Sequence, residues 1–209
     1  MIGCFPRSDV CPNGRARFWL PVAAILLACG LALPVTADTD LPGKGGRGDV
    51  AVPIDELFDQ LAAAETPDQA QQVEAAIWKV WARSGSPSVD LLMSRGLDAM
   101  AEQDLDRALA YFTNVVELAP DYPEAWNKRA TIFYLQNNYG RAIQDIEQTL
   151  ALEPRHFGAL GGLAQILMEI GDKKGALEAY RRVLAIYPLM PGAQAAADAL
   201  KPDVEGRDI

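Results

Sequence analysis

Histidine occurs once in this chain of 209 residues, and the three cysteines, Cys4, Cys11 and Cys29, all lie near its start. One imidazole cannot close a zinc site. His156 sits in the turn Pro154-Arg155-His156-Phe157 with no hydroxyl nucleophile predicted beside it. Ser84-Gly85-Ser86-Pro87 reads as a loop between helices, whereas a nucleophile elbow needs a strand before it and a helix after it. Glu117, Glu147 and Glu153 fall on exposed helix faces, and nothing pairs two carboxylates in an apolar pocket. The expectation is therefore a protein without catalytic chemistry, metal or cofactor. Positive charge is also scarce: 19 basic residues against 28 acidic give a formal net charge of -9. That argues against nucleic acid and against a polybasic grip on anionic lipid, since both need concentrated cations. Disorder throughout is excluded by a composition that is 50% hydrophobic and 22% charged.

One long apolar run is present. Arg7, Arg15 and Arg17 precede Phe18 to Leu33, and Pro34, Val35, Thr36 and Ala37 follow it. A positive flank, an apolar stretch and small residues before a cut form a secretory signal peptide. Residues 1–37 are thus expected to be removed after Ala37, leaving a periplasmic product without cysteine or disulfide. The same segment holds Leu26-Leu27-Ala28-Cys29, which resembles a lipobox, so a lipoprotein anchored through Cys29 stays open, as does an uncleaved anchor. Membrane contact is expected only in those two cases. Residues 38–53 read as a flexible linker, with four glycines and a proline between Leu41 and Gly48.

The remainder is organised by a period of 34 residues. Pro120, Pro154 and Pro188 keep that step, as do Ala108, Ala142 and Ala176, and Gly96, Ala130 and Ala164. Leu92, Trp126 and Leu160, then Phe112, Ile146 and Tyr180, then Asp104, Asn138 and Asp172, complete six columns. Asp104, Asn138 and Asp172 suit the N-cap of a second helix, and the prolines stop that helix. A first helix fits each of 89–102, 123–136 and 157–170. The small columns allow close approach of two antiparallel helices, and the large columns fill the space beside that contact.

These units resemble tetratricopeptide repeats, a family of 34-residue helix–turn–helix units. The match runs through Leu92, Gly96, Ala108, Phe112 and Pro120; then Trp126, Ala130, Phe133, Ala142, Ile146 and Pro154; then Leu160, Leu163, Ala164, Leu167, Ala176, Tyr180 and Pro188. Arg95 and Arg129 depart from the usual leucine. The resemblance implies an all-α, right-handed α-solenoid of antiparallel helix pairs, with repeats at 89–122, 123–156 and 157–190. Residues 54–86 form a divergent helical hairpin before them, a shortened fourth unit with Val73, Ile77, Val80 and Trp81 on one stripe. Residues 191–209 supply a short closing helix and a frayed tail.

The resemblance also implies that first helices line a concave groove that holds polypeptide. Its candidate binding residues here are Met93, Leu97, Met100, Asn127, Lys128, Thr131, Tyr134, Gln165 and Met168, with Asp90, Glu124 and Glu169 facing the same way. Gly158, Gly161 and Gly162 leave one end of the channel bare. Two readings stay open: an adaptable apolar floor for a partner, or a groove partly filled by the chain's own segments. A lysine, arginine and asparagine clamp for terminal carboxylates is absent, because only Lys128 is basic among the positions that would form it. The partner is expected to be an apolar or basic segment of another envelope protein, with self-association left open.

Overall fold

A computed structural model describes residues 52–206; the expected leader, Cys29 and the linker up to residue 51 lie outside the described residues. Helices α1 (Ile54–Ala62), α2 (Pro67–Trp81), α3 (Pro87–Ala101), α4 (Leu105–Leu118), α5 (Pro123–Leu135), α6 (Tyr139–Leu152), α7 (Phe157–Glu169), α8 (Lys173–Ile186) and α9 (Ala193–Val204) follow in order, with no strand among the described residues. The fold is an all-α solenoid of helical hairpins.

Each repeat closes by the same local chemistry. In the first, the Asp104 N–H reaches back to the Ala99 carbonyl at 2.9 Å and the Gln103 N–H to that of Met100 at 3.0 Å. Asn138 and Asn137 repeat the pattern on Phe133 and Tyr134, and Asp172 and Gly171 repeat it on Leu167 and Met168. These paired bonds satisfy the last carbonyls of the first helix and require a left-handed residue between the helices. Gln103, Asn137 and Gly171 supply it, with φ of 62°, 58° and 86°. The next residue then caps the second helix: Asp104 accepts from the Arg107 N–H at 3.1 Å, Asn138 from Arg141 at 3.4 Å, and Asp172 from Gly175 at 2.9 Å. One residue therefore ends one helix and starts the next. Helices α4, α6 and α8 stop at Leu118, Leu152 and Ile186, two residues before each periodic proline.

Packing within a pair follows the small columns. Ala108, Ala142 and Ala176 are fully buried. At Gly96 even a Cβ would stand 2.4 Å from the Phe112 ring, so the bulkiest partner faces the smallest residue. Between pairs, α4 meets α5, α6 meets α7, and α8 meets α9. Helix α9 lays Ala197 and Leu200 on Ala176 and Leu177 and runs four residues beyond Leu200, where Asp203 pairs with Lys173 at 2.5 Å.

The hairpin α1–α2 does not extend the stack. A preceding repeat would lay α2 along α3, but these two are not a packed pair. Instead Leu57, Phe58, Leu61, Ile77 and Trp81 share a core with Phe157 and Tyr187 of the last repeat. Val80, expected on the buried stripe, is 38% exposed. It lies about 100° round the helix from Trp81, outside the line that meets the last repeat. Among the described residues, no helix other than α4 packs along α3, and its stacking face is left uncovered by them. Leu91 is 55% exposed and Asp98 is exposed, while their counterparts Ala125, Ala159, Ile132 and Ile166 are buried.

Candidate functional site

The first helices α3, α5 and α7 present one residue ladder on their inner side, and the hairpin divides it into a filled half and an open half. The filled half lies at the N-terminal ends of α5 and α7. There Trp78 lies against α7 where Gly158 leaves room: a Cβ on Gly158 would stand 2.8 Å from the indole. The Lys128 ammonium sits 5.4 Å from the Trp78 ring centroid, in range of a cation–π contact. Trp81 stacks on His156 at 4.1 Å with planes 5° apart, and touches Phe157 at 5.1 Å. Polar bonds hold the hairpin in register. The Tyr122 hydroxyl donates to the Trp81 carbonyl at 2.8 Å, Tyr187 donates to Glu74 at 3.1 Å, and Arg155 pairs with Asp55 at 2.6 Å.

Beneath the tryptophans lies a buried charged network. Glu124 is 3% exposed and His156 fully buried. His156 Nδ1 accepts the Ala159 N–H at 3.1 Å and so caps α7, which places the ring hydrogen on Nε2. Nε2 then donates to Glu124 Oε2 at 3.0 Å, Asn127 donates to the same oxygen at 2.9 Å, and Lys128 pairs with Oε1 at 2.9 Å. Burial alone would push the Glu124 carboxyl up; the Lys128 charge and the His156 hydrogen bond outweigh it and hold the group at about 2. His156 is thus a structural cap with its ring sealed under Trp81, with no access for a substrate.

Several expected groove residues are therefore not surface. Met93, 5% exposed, packs with Val89 and Phe112 in the core of the first repeat, and Asn127, 8% exposed, serves Glu124. Lys128 is held by Glu124. Asp90 accepts from the Ser84 hydroxyl at 2.6 Å and backbone at 2.9 Å, fixing the loop between α2 and α3. The bare glycine end is filled by Trp78 at Gly158 and bordered by Met190 at Gly161.

The open half runs along the C-terminal ends of α3, α5 and α7. Leu97 is 44% exposed, Met168 39% and Leu135 39%. Met100, Thr131, Tyr134 and Gln165 are half-buried between them. Tyr134 donates to Glu169 at 2.6 Å and Gln165 to the same oxygen at 3.1 Å; Tyr139, at the start of α6, donates to the other oxygen. Tyr139 is invisible to the repeat pattern as a groove residue, because it belongs to a second helix, which that pattern assigns to the outer layer.

Arg129, which departs from the repeat pattern, has a separate task. It pairs with the buried Asp145 through two bonds of 2.7 and 2.8 Å and stacks 4.9 Å from the Trp126 ring centroid. The cleft beside it, lined by Leu109, Thr113, Phe133 and Arg141, is a seam between repeats.

Serial helical hairpins with a ladder of first helices on one side define a helical-repeat protein built for contact with other chains. A family model for the tetratricopeptide repeat matches residues 93–147 and 136–191. A TPR repeat-containing protein of Rhizobium etli is 39% identical over 153 residues, spanning 73% of this chain and 75% of its own length. The chain belongs to the tetratricopeptide repeat family. It is also 31% identical over 114 residues to the heat-shock protein cognate co-chaperone sgt12 of Aspergillus fumigatus, spanning 54% of this chain but only 33% of the relative. Among solved structures, the Sgt2 TPR domain of Aspergillus fumigatus superposes with a TM-score of 0.53 at 24% identity, covering 57% of this chain and 81% of the domain. The first TPR domain of Spaghetti (RPAP3), bound to an HSP90 peptide, gives 0.53 at 18%, covering 55% and 91%. Both likenesses concern the fold.

Proposed function

We propose that this protein is a non-enzymatic interaction scaffold of the bacterial cell envelope that holds a polypeptide segment along the open half of its groove. One observation carries the reading: Leu97, Leu135 and Met168 stay exposed on the ladder, while the N-terminal ends of α5 and α7 are covered by the chain's own hairpin. A short strip of this kind suits a few apolar side chains of a partner, with methionines adapting to their shape. A grip on a partner's terminal carboxylates does not fit, because the clamp positions that the family resemblance implies carry Met93, Leu97, Gly158 and Gly162, and Lys128 is engaged by Glu124.

The test is photocrosslinking from position 135 in envelope extract. Leu97→Asp with Tyr134→Asp should abolish the crosslinked partner while helicity is kept; a partner retained by that double variant would move the site elsewhere. Export rests on the leader, and the lipobox at Cys29 supports a second reading, a lipid-anchored assembly factor. Intact mass of the exported product separates the two: a chain beginning at Asp38 supports the soluble form, and an acylated Cys29 supports the anchor.

A further inference from the structure

Glu169 is an exposed carboxylate that carries unusual support. Its oxygens take hydrogen bonds from Tyr134 of α5, Tyr139 of α6 and Gln165 of α7, so two successive repeats converge on one side chain. Among the described residues, no lysine, arginine or histidine forms an ion pair with it. A carboxylate offers about four acceptor sites. Three are taken by neutral donors, which orient the group without neutralising it. Partial burial would push its carboxyl up; the three donors outweigh that and hold it below the usual range, so it is ionised at neutral pH. The Tyr134 and Tyr139 rings stand 6.0 Å apart, tilted by 35°, beside it. An oriented anion flanked by two aromatic rings is a receptor for a cation.

We propose that Glu169, positioned by Tyr134, Tyr139 and Gln165, anchors a lysine or arginine side chain of the partner segment whose apolar neighbours lie on Leu97 and Met168. This rests on the groove reading above and names the chemistry that selects its occupant. Charge complementarity supports it, since the chain carries a formal net charge of -9. It also explains why a side chain fixed by three hydrogen bonds lies next to exposed Met168: the anion sets register, and the apolar strip supplies area.

Panning a phage-displayed library of random dodecapeptides on the full chain tests the assignment while the partner is still unidentified. Enriched peptides are expected to carry lysine or arginine beside apolar residues, and synthetic copies should weaken about tenfold or more when that residue becomes glutamine. On Glu169→Gln the basic and glutamine peptides should bind alike, and on Glu169→Lys the preference should turn to acidic peptides. Helicity by circular dichroism confirms that both variants fold, as expected for an exposed site. If groove-bound peptides, identified by their loss on Leu97→Asp, lack a basic residue or keep the preference on Glu169→Gln, the anchor is overturned and the groove stands. If no peptide is enriched, or all bind Leu97→Asp as well as the native chain, the groove reading falls and the anchor with it.

Discussion

A glycine and a glutamate decide how the groove is shared. In a helix interior, Gly→Ala stabilises by about 0.5–1 kcal/mol through backbone entropy. Gly162→Ala should show that gain, since its Cβ would meet Ile146 only at 3.8 Å, an ordinary contact. Gly158→Ala should lose stability instead, because its Cβ would press on the Trp78 ring at 2.8 Å. Denaturant midpoints of the two variants, with indole fluorescence reporting on Trp78, check the contrast; equal gains at both sites would mean the indole moves aside freely. Glu124 contributes a pH dependence of known sign. Its folded-state carboxyl is held at about 2, below the ordinary 4.5, so its contribution is full above pH 5 and is lost as pH falls toward 2. The loss should be on the order of 3 kcal/mol. Glu124→Gln should flatten that limb of the stability profile while lowering stability at neutral pH, because Lys128 and His156 lose their partner.

At the scale of elements, the inter-helix turn is the unit that recurs. It needs one left-handed residue, and glycine occupies that position only at Gly171. Gln103→Gly should stabilise the protein by about 0.5–1 kcal/mol, read as a rise in melting temperature, because the side chain that resists a φ of 62° is gone. Much at this scale was legible in the chain. The caps at Asp104, Asn138 and Asp172 and the small columns are local or 34 residues apart, and each has a mechanical role that residue type alone reveals. Asp98 also carried a signal: it stands where Ile132 and Ile166 are buried, and a charge there marks a face on which no helix stacks among the described residues. That signal argues against a fourth nested unit. Val73, Ile77 and Trp81 show that α2 buries a stripe, yet a stripe does not say against what.

In the whole molecule, the hairpin breaks the one-dimensional rule of repeat proteins. Stacked repeats touch only their neighbours, and their stability is a sum of local terms. Here Glu74 meets Tyr187 and Asp55 meets Arg155, across 113 and 100 residues of sequence. Trp81→Ala should cost about 3–5 kcal/mol, the range for a buried aromatic residue cut to alanine. Hydrogen exchange should then rise in α1, α2 and the start of α7 while α3 and α4 keep their protection; uniform loss across all helices would show that the array unfolds as one unit regardless of the hairpin.

The repeat period, the helix ends and the size matching inside each pair were determined by the sequence itself, because they depend on residues within one or two turns or one period of each other. Which half of the groove stays open was decided only by tertiary structure. The apolar stripe of α2 suits a neighbour on either side, α3 or α7. The choice fell on α7 because Gly158 leaves space for an indole, His156 offers a ring to stack on, and Tyr122 and Tyr187 supply hydrogen bonds at matching depth. Those complements lie about 40 to 110 residues away in the chain, and only the folded backbone brings them to one place.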